Sequence, residues 1–172
     1  MTAQFREILH YDGKIFSLST EPLKPLLDLL GDDEKPVFVS ECSACWRGYV
    51  GTWEIDNDRL FLINLEGRSD NDVEEVLMNS LFPNQKKVFA GWFTGEIIIP
   101  EGKMLHYEHM GYMSIFEKDM FLEFKRGVLC GKRVIDNTKI FDPDDPTGWK
   151  KIAKDLYEYN LKNLKKGKLS NP

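Results

Sequence analysis

Six runs, Val88-Phe-Ala-Gly-Trp-Phe93, Glu96-Ile-Ile-Ile99, Met104-Leu-His-Tyr-Glu108, Tyr112-Met-Ser-Ile-Phe-Glu117, Met120-Phe-Leu-Glu-Phe-Lys125 and Val128-Leu-Cys-Gly-Lys-Arg-Val134, follow one another with only short connections between them. Each is rich in β-branched, aromatic or aliphatic residues, the composition of a half-buried strand. The connections, Pro100-Glu-Gly102 and Lys125-Arg-Gly127 among them, carry turn chemistry. Segments so short and so closely joined pair with their sequence neighbours, which predicts a β-meander.

Upstream of the meander, Leu60 to Leu65 is apolar on both parities except at Asn64, as in a strand covered on both faces. Tyr49, Gly51, Trp53 and Ile55 alternate with Val50, Thr52 and Glu54, the period of a strand with one apolar face. Asp56-Asn57-Asp58 joins the two as a hairpin, and Val37 to Ser40 reads as a further strand. At the start, Phe5 to Tyr11 and Lys14 to Ser19 flank Asp12-Gly13, a dipeptide suited to the positive backbone angles of a tight hairpin.

Three helices are expected. The first is short, with Pro25 in its first turn and Gly31 as its stop. The second runs from Asp70 to about Leu81, capped by Ser69, with an inner stripe of Val73, Val76, Leu77 and Leu81. The third is capped by Asp145, opened by Pro146 and continues to about Lys166. It is amphipathic and carries Trp149, Ile152, Ala153, Leu156, Asn160 and Leu164 on one stripe. Nine or ten strands with three helices define a strand-rich α+β domain, built on a curved antiparallel sheet or partly open barrel. No biased linker divides the chain, so a single domain over 1–167 with a frayed tail at 168–172 is expected.

Length and composition agree with that class. The chain has 172 residues, 42% hydrophobic and 30% charged, enough apolar material for one core and too much for a disordered chain. Its net charge of −5 is unevenly placed. From Trp149 onward seven lysines face Asp155 and Glu158, and the first 148 residues carry 16 basic and 26 acidic side chains, a net of −10. An acidic body argues against nucleic acid as a partner, because that affinity rests on Lys and Arg displacing counterions. Lysines late in the last helix also suit the negative pole of its dipole.

The charged start, Met1-Thr-Ala-Gln-Phe-Arg-Glu, does not read as a signal peptide, and no apolar run approaches the roughly 20 residues that span a bilayer. A soluble cytoplasmic protein is the expectation, without membrane contact. Three cysteines, Cys42, Cys45 and Cys130, form an odd set that reads as reduced thiols.

Reactive residue types gather in two places. Cys42-Ser-Ala-Cys45 with His106-Tyr-Glu-His109 supplies the donor types of a tetrahedral zinc site. No glycine follows the first pair to form a knuckle, and residues three apart on a strand point to opposite faces, so two buried strand cysteines are the simpler reading. Cys45 or Cys130 with His106 or His109 as base would make a hydrolase pair, were they adjacent in space. Gly-x-Ser-x-Gly, Gly-x-x-x-x-Gly-Lys and His-Glu-x-x-His are all absent from the chain, and the CxxC lacks a βαβ setting. No cofactor is implied.

The aromatic and charged set Trp46, Arg47, Tyr49, Trp92, Tyr107, Glu108, His109 and Tyr112 carries most of the recognition chemistry. Trp, Tyr and Arg dominate interface energetics. The same residues at alternate strand positions also serve as half-buried core.

Cys45-Trp-Arg-Gly-Tyr-Val-Gly-Thr-Trp-Glu-Ile55, with Gly91-Trp92 and His109-Met-Gly-Tyr112, resembles a type of small bacterial open reading frame of unassigned function. The resemblance covers most of the chain and implies a bacterial origin, but no activity or site.

The sequence therefore predicts a non-catalytic protein that binds another protein through an acidic, aromatic-bearing surface. Compact acidic inhibitors and immunity proteins that neutralise a basic partner are the class-level analogy. Two alternatives stand beside it. One is a small-molecule pocket or small enzyme within the sheet, built around Arg47, Tyr49, Glu108 and Tyr112. The other is contact between the lysine-rich last helix and nucleic acid or an anionic surface.

Overall fold

The computed structural model describes residues 2–31, 34, 36–40, 42–67, 77–146, 148, 150, 151, 154, 155, 157 and 158. The chain falls into two compact units, Met1–Asn137 and Thr138–Pro172.

In the first unit the N-terminal hairpin forms as read. Strands β1 (Glu7–Tyr11) and β2 (Lys14–Leu18) pair antiparallel, with Asp12 and Gly13 at φ of 51° and 69°. The helix α1 (Lys24–Leu29) follows with its proline at the start. It ends on an extended Leu30, so Gly31 supplies no left-handed stop. Val37 to Ser40 is not a strand; Phe38 alone makes an isolated bridge.

β3 (Tyr49–Asp56) and β4 (Arg59–Gly67) form the second hairpin, turned by Asn57 and Asp58 at φ of 49° and 59°. Their register shifts between Thr52 and Trp53, which sit opposite Asn64 and Leu62 and leave Ile63 unopposed. The shift accounts for much of the apolar run on both parities. Leu60 and Leu62 face the core before the bulge and Leu65 after it, all fully buried, because one extra residue flips the later parity.

The meander is shorter in strands than its sequence implies. β5 (Val88–Phe89) is followed by β6 (Gly95–His106), β7 (Ile115–Lys125) and β8 (Val128–Asp136). Pro100-Glu-Gly102 does not turn the chain. Gly102, at φ 82°, makes a bulge inside β6, and the Glu117 carboxylate of β7 accepts the Lys103 amide at 3.0 Å across it. Two expected strand pairs are thereby fused, and among the described residues eight strands stand where nine or ten were expected.

The sheet order is β2-β1-β3-β4-β8-β7-β6, with β5 on β4. β1 and β3 run parallel, so the sheet is mixed where an antiparallel one was expected. β4 meets β8 at the single pair Arg59 and Val128, and the sheet stays open. Just beyond β2, the Ser19 amide donates to the Ile98 carbonyl of β6 at 2.8 Å, and the Ile98 amide to the Thr20 hydroxyl at 2.9 Å. These bonds pin together the two edge strands without a ladder.

Trp53, Leu9, Leu62, Ile97, Leu122 and Phe124 lead the core, each essentially inaccessible to water. Burying a side chain of that size contributes about 1.5–3 kcal/mol. The expected second helix falls largely on residues outside those described; its last turn, α2 (Met78–Leu81), is present with Leu77 buried before it.

In the second unit the Asp145 carboxylate accepts the amides of Lys150 and Lys151 at 3.1 and 2.9 Å, while Pro146 lies in a turn and does not open a helix. Lys150, Lys151, Lys154, Asp155, Tyr157 and Glu158 have helical backbone and are exposed. The expected apolar stripe of the amphipathic C-terminal helix, and residues 168–172, lie outside the described residues. Among the described residues no helix is long and apolar enough to cross a membrane.

Candidate functional site

Three segments meet at one end of the first unit. The N-terminal stretch Thr2–Arg6 lies between the 42–48 turns and the 107–114 loop that joins β6 to β7. The Gln4 amide donates to the Gly111 carbonyl at 3.1 Å, and the Phe5 amide to Ala44 at 2.7 Å. The Gln4 side chain receives the Trp46 amide at 2.9 Å and donates to the Ser43 carbonyl at 2.8 Å.

Beneath this end lies a buried polar network. The Arg47 guanidinium, whose side chain is 8% exposed, donates to the Tyr112 hydroxyl at 2.7 Å and to the Phe5 carbonyl at 2.9 Å. It stands 3.4 Å from the Glu7 carboxyl and 3.6 Å from Glu21, with its carbon 5.4 Å from the centre of the Tyr49 ring. Glu7 is fully buried and its second oxygen accepts the Trp53 indole N–H at 2.5 Å. The Tyr112 hydroxyl proton faces the Phe5 carbonyl at 3.1 Å and Glu21 at 3.0 Å.

One cation thus faces two carboxyls. Burial pushes the Glu7 carboxyl up to about 8, against the opposing pull of the Trp53 hydrogen bond and the Arg47 charge. At neutral pH Glu7 therefore holds its proton, and the second carboxyl that faces the Arg47 guanidinium is Glu21, at 3.6 Å. Burial also pushes the Tyr49 and Tyr112 phenols above their ordinary range, so both stay neutral. Gly51 makes room for this packing, since a Cβ there would stand 2.7 Å from Glu7 Oε2 and 2.8 Å from Trp53 Nε1.

Arg47, Tyr49 and Tyr112 therefore converge, but on one another. Glu108 is not with them: its side chain lies 3.7 Å from His106 and accepts the His109 amide at 3.1 Å, and its own amide donates to Ser114 at 3.0 Å. These bonds brace the 107–114 loop. Trp92 is elsewhere, stacked on Phe82 with its indole N–H on the Pro22 carbonyl at 3.0 Å. Tyr107 bonds to the His109 ring at 2.8 Å.

Outside the network the same end carries Phe5, Trp46, Tyr107 and Met113, 54, 50, 55 and 48% exposed. Arg6 lies 5.5 Å from the Tyr112 ring centre and 5.4 Å from that of Phe116, binding the N-terminal stretch to the loop from the other side.

Cys42 and Cys45 are not buried strand residues; they occupy a turn, one exposed and one half-buried. Neither they nor Cys130 contact a histidine through hydrogen bonds: Cys45 donates to the Tyr49 carbonyl at 3.5 Å and Cys130 to Glu123 at 3.4 Å. Among the described residues no three of His, Cys, Asp and Glu gather into a metal-holding group, so Cys42, Cys45, His106 and His109 are not assembled as ligands.

Sequence reasoning missed Glu7, Glu21 and Phe5. A signal for Glu7 was present: it shares strand parity with the buried Leu9, which puts a carboxyl on a core-facing position. Comparison with family models, curated proteins and solved structures gave no match.

Proposed function

We propose that the protein is a non-catalytic, cytoplasmic binding protein that docks a cationic protein partner on the aromatic end face formed by Phe5, Trp46 and Tyr107. The observation that supports this reading most is the pairing of exposed aromatics with an immobile foundation. Each ring stands on a segment tied by backbone hydrogen bonds and, beneath it, by the Arg47 network. Large aromatics left in water on a rigid base lose little conformational entropy on binding and become the anchors of an interface. The acid excess of the first 148 residues, 26 against 16, favours a basic partner and speeds the encounter. An inhibitor- or immunity-type role fits that chemistry.

A photo-crosslinking residue placed at position 46, with position 15 on the far hairpin as control, tests the reading in cells. The expected result is one stoichiometric basic protein captured from position 46, with capture falling as salt rises and surviving neutralisation of the C-terminal lysines. With that partner purified, Trp46→Ala weakens binding by about 30-fold, the 2 kcal/mol of an interface anchor. Equal capture from position 15, or a purified protein that turns over a small metabolite, would sink the proposal.

A further inference from the structure

The aromatic face makes no use of the two thiols in the turn behind it. The Cys45 amide donates to the Cys42 carbonyl at 3.0 Å, closing a four-residue turn, and the Gly48 amide donates to the Cys45 carbonyl at 3.0 Å, closing the next. A turn closed in this way holds its first and last Cα atoms within about 7 Å. That is the separation a disulfide spans, about 4.4–6.8 Å between Cα atoms. Both cysteines line one open cavity of about 200 Å³, beside Phe5, Val39, Tyr49 and Glu66. Both are free thiols.

The expectation that residues three apart must diverge holds for a strand and fails here, because the chain turns between them. The turn is also held from outside. Ser43 and Ala44 accept bonds from Gln4 and Phe5, and Gly48, at φ 74°, packs so tightly that a Cβ would lie 2.8 Å from Phe38 Cβ and 2.9 Å from the Val39 carbonyl.

We propose that Cys42 and Cys45 are a reversible dithiol–disulfide pair that exchanges with low-molecular-weight disulfides. Cys42 is the exposed member and attacks first. Its thiolate bonds to one sulfur of the small disulfide, whose S–S bond breaks and releases one thiolate that takes up a proton. Cys45, half-buried and turned towards the Tyr49 carbonyl, then gives up its proton and attacks Cys42 Sγ, expelling the second small thiol. Two protein thiols are oxidised to one disulfide while one small disulfide is reduced to two thiols, and the two protons pass to the products. Cys130, exposed on β8, is an internal control, since it lies outside this turn and stops at a mixed disulfide.

This inference does not rest on the partner-binding reading, and its test needs no partner. The reduced full-length chain is equilibrated with glutathione disulfide and glutathione over a range of ratios, quenched with acid, alkylated and mapped by mass spectrometry. The expected product is a peptide over residues 42–45 that has lost two hydrogens and carries no glutathione, while Cys130 carries one. Cys42→Ser and Cys45→Ser each abolish the internal disulfide, and Cys45→Ser accumulates the glutathione adduct on Cys42. The wild-type chain decides the matter even if a variant misfolds. The proposal is overturned if Cys42 and Cys45 take up glutathione independently, if either pairs with Cys130, or if both stay reduced at ratios that fully modify Cys130.

Discussion

Across β6 and β7, Ile97, Ile99, Leu122 and Phe124 exclude water with hydrocarbon alone, whereas at the end where the N-terminal stretch enters, near-complete burial is imposed on a glutamate and an arginine. The hydrocarbon region is the drier of the two, since Glu21 in the polar one keeps 26% of its side chain in water, and the two are stabilised differently. Apolar burial is non-directional, so each side chain in the first region contributes nearly by its own area. In the second, each member relies on a named neighbour, down to Glu7 Oε1 and Arg47 Nε, which are buried without a hydrogen bond and stand 3.4 Å apart, and the loss of one strands the others. The hydrocarbon region supplies stability; the polar region specifies how three distant segments meet.

The sharpest way to break this contrast is Arg47→Met, which keeps the stem and removes the cation. The Tyr112 hydroxyl and the Phe5 carbonyl lose their shared charged donor and Glu21 its ion-pair partner, and the loss expected in chemical denaturation is about 3–5 kcal/mol. Leu122→Ala in the hydrocarbon region should cost about 2–5 kcal/mol, set by the cavity left behind and indifferent to pH. A pH-independent cost for Arg47→Met would erase the distinction.

Glu7→Gln separates the regions by titration. Below the ordinary carboxyl value of 4.5 both folded and unfolded chains hold the proton; between 4.5 and about 8 only the folded chain does. Stability from the wild-type carboxyl is therefore full at low pH and lost as pH rises through that window. Glu7→Gln should gain on the wild type steadily from pH 5 to pH 8, after which the gap levels off. A gap that stays flat would mean that Glu7 is ionised against Arg47. Tyr112→Phe removes one hydroxyl from the same network and should cost about 1 kcal/mol in the same denaturation experiment. Trp46→Ala, on the outer side of that end, should change stability by no more than about 0.5 kcal/mol while weakening partner binding.

The hairpins were legible in the sequence because their signal is local. Alternation at Tyr49 to Ile55 and the positive-angle dipeptide Asp12-Gly13 each act within a few residues. What misled were features that the strand partner decides. Pro100-Glu-Gly102 has the composition of a turn, but the Glu117 carboxylate across the ladder holds it as a bulge. The parallel pairing of β1 with β3 comes from residues far apart in sequence and leaves no local mark. The polar network draws on positions 7, 21, 47 and 112, so Arg47, Tyr49 and Tyr112 could be singled out by type, while Glu7 is marked only by its strand parity with Leu9 and Glu21 by nothing local.

The open sheet raises a different matter, that of growth. An uncovered strand edge is a template for another chain, and sheets left open are prone to add strands without limit. Here the β6 edge carries Pro100, which has no amide to offer, and the Gly102 bulge interrupts its line two residues later. Ile98, on the same edge, already has its carbonyl and its amide engaged by Ser19 and Thr20. The stretch that looked like a turn in the sequence thus guards the sheet against stacking into filaments.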